Sequence, residues 1–199
     1  MNGAPARAVG AVTEREVLQD AVFGSPLLGP VLKGWSDVQL PDAWLVAGAV
    51  AQAVWNARLH YAPGHGLRDI DIVYHDPDDL SEATEESHAV RIRALFAECP
   101  ARFDVKNEAR VHCWYEAKFG YPIAPYPSVA AAIATFPTTA TTVGIRPGSA
   151  GLDVIATHGL SDLCNLVVRP NRVQVTRRIY EAKVARWQTL WPTLHIEKW

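Results

Sequence analysis

Apolar residues recur along this chain with two periods, one suited to helices and one to strands. Thr13-Glu14-Arg15-Glu16 has the Thr-x-x-Glu form of a capping box and predicts a helix from Glu14 to about Val22. Ser25-Pro26 supplies an N-cap and a first helical position for a short second helix over Leu27 to Gly34. Trp44-Leu45-Val46-Ala47 reads as a buried strand, Gly48-Ala49 as a tight small-residue turn, and Gln52 to Leu59 as a helix leading away. A β-branched run, Asp69 to Tyr74, forms the next strand. Ser81 then caps a helix whose Ala89, Ile92, Leu95 and Phe96 share one apolar face, with Glu82, Glu85 and Glu86 at its positive end. Phe103-Asp104-Val105-Lys106 alternates as a third strand, and Val111, Trp114, Tyr115 and Phe119 mark a helix over Glu108 to Phe119 that Gly120 stops. Further on come a β-hairpin of Val143–Arg146 with Leu152–Ile155, a capped helix start at Ser161 and a helix from about Val175 to Leu190.

Strands alternating with crossover helices predict the α/β (α+β) class: a mixed β-sheet flanked by helices, with further helices at both ends. The expected organisation is a disordered tail over residues 1–12 and a single domain over 13–199, with its core at about 43–120 and the hairpin and C-terminal helices at about 128–199. A chain of 199 residues, 49% hydrophobic, has enough apolar surface for such a core.

The chemistry concentrates on carboxylates. Residues two apart on a strand point to one side, so Asp69 and Asp71 share a face while Ile70 and Ile72 enter the core. Two like charges that close require a cation, and a divalent ion accepts oxygen ligands from both. A strand, a small-residue turn and a helix N-terminus form an anion site from backbone N–H groups, here at Gly48 and Ala49. Asp104 supplies a third acid, completing a two-metal arrangement; Glu108 is a weaker substitute, since an acid at that position also favours a helix start. Gln52 and Asn56, one turn apart, together with Lys106, Arg110 and Arg146, are candidates for nucleotide or phosphate contact. The Asp76–Asp79 run reads as a turn, and His112 as a structural hydrogen-bonding residue.

The order Gly48-Ala49, Asp69-Ile70-Asp71, Phe103-Asp104-Val105 resembles the core signature of the polymerase-β-like nucleotidyltransferase superfamily. More closely, the chain resembles a bacterial nucleotidyltransferase-like family. The shared blocks are Val46–Ala49 with Gln52 and Val54–Asn56, Asp69–Tyr74, Asp79–Ser81, Asn107–His112 with Trp114-Tyr115, Phe136–Thr141 and Val168–Asn171. This resemblance implies transfer of an NMP group from an NTP to an unidentified acceptor, a small molecule or a short RNA, with release of pyrophosphate. Asp69, Asp71 and Asp104 would be the catalytic and metal-holding residues for Mg2+ or Mn2+, and Gly48 and Ala49 would cradle phosphate. Many active members of the superfamily carry Ser where this chain has Ala49. That departure leaves two alternatives: an inactive nucleotide-binding or regulatory module, or other metal-assisted chemistry at the acids.

Remaining features narrow the setting. A net charge of −2 and a pI near 6.4 argue against a footprint for long DNA, and Arg169-Pro170-Asn171-Arg172 with Arg177-Arg178 reads first as a solvated face. Cys99, Cys113 and Cys164, odd in number and widely spaced, suit small buried positions in a reducing, cytoplasmic setting. No uninterrupted apolar run is long enough for a membrane span. Seven tryptophans are many for this length; Trp187, Trp191 and Trp199 are expected to pack the tail, while Trp55 or Trp114 either packs or stacks on a base.

Overall fold

A computed structural model describes residues 12–199; the expected tail, residues 1–12, lies outside them except for Val12. The Thr13 capping box forms as anticipated. Its hydroxyl accepts from the Glu16 N–H at 3.2 Å and the Glu16 carboxylate accepts from the Thr13 N–H at 2.7 Å, opening α1 (Glu14–Gly24). The Ser25 hydroxyl accepts from the N–H groups of Leu27 and Leu28 ahead of α2 (Leu28–Lys33).

A five-stranded sheet organises the rest of the chain. Its strands are β1 (Trp44–Val46), β2 (Asp69–Tyr74), β3 (Arg102–Asn107), β4 (Val143–Gly148) and β5 (Gly151–Ala156), in the order β3-β2-β1-β4-β5. Between β1 and β2 runs α3 (Ala47–Leu59); α4 (Glu82–Leu95) crosses between β2 and β3, the parallel pair, and the other neighbours are antiparallel. After β3 come a 3-10 turn (Glu108–Arg110), α5 (Val111–Phe119) and α6 (Val129–Ile133). The C-terminal third holds α7 (Ser161–Cys164), β6 (Val167–Val168), α8 (Arg177–Leu190) and β7 (His195–Ile196), with β6 and β7 paired in parallel.

The register sorts side chains onto two faces. Leu45, Ile70, Ile72, Phe103, Val105 and Ile145 point into the main core, with Leu18 and Val22 of α1, Val50, Val54 and Trp55 of α3, and Ile92 of α4. The opposite face carries Asp69, Asp71 and Val73 on β2, Arg102, Asp104 and Lys106 on β3, and Trp44 and Val46 on β1. An apolar plug of Trp44, Val46, Val73, Val129 and Ile133 covers one side of that second face and leaves the acids outside it. Tail packing agrees with expectation: Trp187 and Trp191 set their rings edge-on to Trp55, with centroids 5.1 and 5.4 Å away, and Trp199 lies 5.8 Å from Tyr180.

Several local expectations need correction. The helix after β1 begins at Ala47, so Gly48 and Ala49 belong to its first turn; the sharp reversal is made by Ala47 itself, at φ +56°. Leu95 is exposed, while Ala89 and Ile92 are buried and Phe96 packs against the core. Cys164 is buried, but Cys99 is half-buried and Cys113 exposed, all three as free thiols. Ser161 lies inside α7 rather than capping it. Among the described residues, no helix is long and apolar enough to cross a membrane.

Candidate active site

Asp71 and Asp104 are direct partners across the parallel pair, and Asp69 lies opposite Arg102. The Cα atoms of Asp71 and Asp104 are therefore about one strand spacing apart, roughly 5 Å, with Asp69 one side-chain repeat along the same face. In this arrangement Asp69 accepts from the Arg102 guanidinium at 2.9 Å, while Asp104 lies 3.3 Å from the Lys106 ammonium. Among the described residues, no three acids, histidines or cysteines converge closely enough to enclose an ion unaided. Burial pushes the Asp71 carboxyl up to about 6; Lys183 opposes that rise, and the neighbouring Asp104 and Asp69 add to it. A poised carboxyl flanked by two others fits a hard divalent ion, and magnesium ordinarily takes one or two carboxylates and completes its shell from water and phosphate.

A cavity of about 240 Å³ opens beside these acids, lined by Gly48, Gln52, Arg68, Asp69, Asp71, Lys183, Arg186 and Trp187. One wall is the N-terminus of α3, which has no side-chain cap. Free N–H groups and the positive helix end there favour an anion. A Cβ on Gly48 would lie 3.2 Å from Gln52 Nε2, so glycine keeps this wall open. The other wall is α8. Burial lowers the pKa of half-buried Lys183, Asp71 raising it again; burial also lowers that of Arg186, and Arg68 reinforces the effect. Arg186 donates from Nη2 to the Gly66 carbonyl at 2.8 Å, while its Nε and the Gln52 Oε1 are buried without partners. Such orphaned polar atoms carry a desolvation cost that an incoming ligand relieves.

The α8 wall is held in place by a glycine. Gly66 sits at φ +71°, and a Cβ there would come within 2.2 Å of the Trp191 ring, so Trp191 closes over the loop before β2 only because no side chain intervenes.

Of the residues anticipated from sequence, Asp69, Asp71, Gly48 and Gln52 meet at this cavity. Ala49 is buried in the main core and turns its methyl away from the cavity lining. Asn56 is a correction: its amide donates to the carbonyls of Pro63 and His65 and accepts from the Trp191 indole at 2.8 Å, fixing the loop. Arg110 is another, since it is buried against Glu85 at 2.7 Å and donates to the Leu80 carbonyl. Arg146 lies two strands from the acids, paired with Asp42 at 2.9 Å and Asp153 at 3.4 Å over the Trp44 ring. Lys106 faces the acids but contributes to a different cavity. His112 is only half satisfied: its Nε2 lies 3.5 Å from the Cys113 Sγ, while its Nδ1 is buried without a partner. The Asp76 run is indeed a turn, with the Asp76 carboxylate accepting from the N–H groups of Asp78 and Asp79. Sequence reasoning missed Arg68, Lys183 and Arg186; the i, i+3 spacing of the last two was visible, but not where their helix docks.

The fold, with its acids on the open face of a mixed sheet, is that of a nucleotidyltransferase head domain. A solved NMR structure described as a CCA-adding enzyme head domain matches at a TM-score of 0.74 and 25% identity, over 96% of this chain and 98% of that one. A CCA-adding enzyme in complex with CTP matches in fold at a TM-score of 0.54 and 19% identity, over 92% of this chain and 43% of that one. No curated protein matches the sequence. Residues 33–196 match the family model described as nucleotidyltransferase, and the chain belongs to that family. Nucleotidyl transfer from a nucleoside triphosphate is its reaction class.

Proposed function

We propose that the chain moves an NMP group from an NTP to an acceptor hydroxyl, releasing pyrophosphate, with the triphosphate in the basic cavity and the acceptor on the Asp104 side. The observation that carries this reading is that Arg68, Lys183 and Arg186 line one cavity together with Asp69 and Asp71. Three cations and an uncapped helix end suit a triphosphate, while the carboxylates suit the ions that accompany it. Magnesium or manganese, held by Asp69 and Asp71, would neutralise phosphate charge and ease deprotonation of the attacking hydroxyl. Arg102 orients Asp69, and Lys183 favours the ionised form of Asp71. Asp104, which pairs with Lys106 at 3.3 Å, would orient the acceptor hydroxyl and take its proton. The CTP complex of a structural relative agrees with a triphosphate substrate.

Calorimetry of the full chain with ATP, CTP, GTP and UTP, with and without magnesium, tests the reading. Magnesium-dependent binding that disappears in Asp71→Ala, together with pyrophosphate release when cell extract supplies acceptors, is the expected result. Metal-independent binding that survives Asp71→Ala would favour the inactive module instead. Ala49 motivates that alternative only weakly, because its side chain packs into the core.

A further inference from the structure

A second cavity, of about 210 Å³, lies along the same sheet face beyond Asp104. Its polar edge is Lys106, the residue 3.3 Å from Asp104, and its walls are aromatic: Trp114, Tyr115 and Phe119 from α5, with Tyr126 and Phe136 across from them. The tyrosines are held rigidly. The Tyr126 hydroxyl donates to Gln174 Oε1 at 2.8 Å and lies 3.0 Å from Thr135 Oγ1, and that of Tyr115 lies 3.0 Å from the Tyr121 hydroxyl. Glu108 also lines this cavity. It is only 6% exposed, and among the described residues its carboxyl makes neither a hydrogen bond nor an ion pair. A carboxyl enclosed among aromatic rings, with its oxygens unclaimed by the protein and open to the cavity, is a hydrogen-bonding group that an entering molecule can use.

We propose that this aromatic cavity is the acceptor subsite, and that it takes an uncharged planar heteroaromatic ring whose nitrogen or carbonyl hydrogen-bonds to the Glu108 carboxyl. The proposal rests on the transferase reading. The triphosphate needs cations, and these line the other cavity; beside the third acid there is left a slot for the molecule that brings the hydroxyl. Flat aromatic walls favour a flat ring. Burial, with the charges of Glu85 and Asp71 adding to it, pushes Glu108 up to about 8, so its neutral form donates a hydrogen bond near neutrality. A ring acceptor suits that donor, and the Lys106 ammonium at the mouth opposes a cationic amine.

The test is NMR titration of the full chain, following the Trp114 indole N–H and the amides of residues 111–119, with adenine and quinazolin-4-one as planar probes and benzylammonium and cyclohexanone as controls. A planar probe should shift these signals while the controls do not. Binding should weaken roughly tenfold in Glu108→Ala, the loss of about one buried hydrogen bond, and be largely kept in Glu108→Gln. Trp114→Ala, at a half-buried site, gives a second variant and should abolish the response.

Magnesium-ATP is titrated in parallel and followed at the Gly48 amide and the Arg186 side chain. ATP binding there, with neither planar probe shifting Trp114, overturns the subsite and leaves the transferase reading intact. Failure of ATP to bind there overturns that reading, and with it the assignment of the aromatic slot to an acceptor. ATP shifting Trp114 would assign the slot to the donor's base, and benzylammonium binding more tightly than the planar probes would make Glu108 an anionic anchor; either result refutes the proposal.

Discussion

Replacing Asp71 by Asn should make the protein more stable and less active. Asp71 is held at about 6 in the folded chain, against an ordinary value of 3.8. Between those pH values the folded state binds a proton that the unfolded chain has already lost, so stability falls as pH rises from about 4 to 6, and the full penalty stands above that. A gap of about two pH units at about 1.4 kcal/mol each sets its size near 3 kcal/mol. Asparagine keeps the shape and removes the charge. Its gain falls short of the full penalty because Lys183 loses its counter-charge. The expectation at pH 8 is therefore a gain of about 1–3 kcal/mol, which for a chain of this length raises Tm by about 2–10 °C. Urea denaturation at pH 8, 6 and 4 reads it out, and the advantage should shrink through pH 6 and vanish near pH 4, where the folded-state carboxyl is neutral. If Asp71 holds the proposed phosphate-neutralising ion, turnover should drop by about 100-fold or more. A variant that is less stable at pH 8, or equally advantaged at all three pH values, would refute the idea that a desolvated charge is kept here for chemistry.

Lys183→Met and Arg186→Gln should each raise the Kd for magnesium-ATP by about tenfold, with a weaker salt dependence of binding, as measured by calorimetry at two ionic strengths. Arg110→Ala should destabilise the fold by about 1–3 kcal/mol in urea by taking from Glu85 its closest cation, the Asn107 N–H and Lys106 remaining to it, and should leave ATP affinity unchanged in the folded fraction. Ala47→Gly, at φ +56°, should stabilise by about 1 kcal/mol in the same assay, since a left-handed residue with a Cβ is strained there and that relief exceeds the entropic cost of glycine.

The acids are legible in the sequence because strand alternation is a local property. Asp69, Asp71 and Asp104 lie in runs where apolar residues alternate with polar ones, and a period of two assigns their face without reference to anything distant. The Thr13 capping box and the crossover helix are legible for the same reason. The cations are not. Arg110 and Lys183 are equally plausible phosphate ligands by type, yet one is consumed by Glu85 from a neighbouring helix and the other faces the cavity because α8 docks through Trp187 and Trp191 onto Trp55. Asn56 misleads similarly: it does stand one turn from Gln52, but the loop carbonyls that claim its amide lie seven and nine residues further on. Glu108 reads from sequence only as a substitute acid, and nothing in its local pattern shows that aromatic side chains from α5 and the 126–136 segment surround it.

The docking of α8 also sets an order of events as the chain is synthesised. β2, which bears Asp69 and Asp71, leaves the ribosome about 110 residues ahead of Lys183, so a nascent chain carries these acids before the cations of α8 exist. Only when the late helix has emerged and its tryptophans have closed around Trp55 does an anion-binding pocket exist.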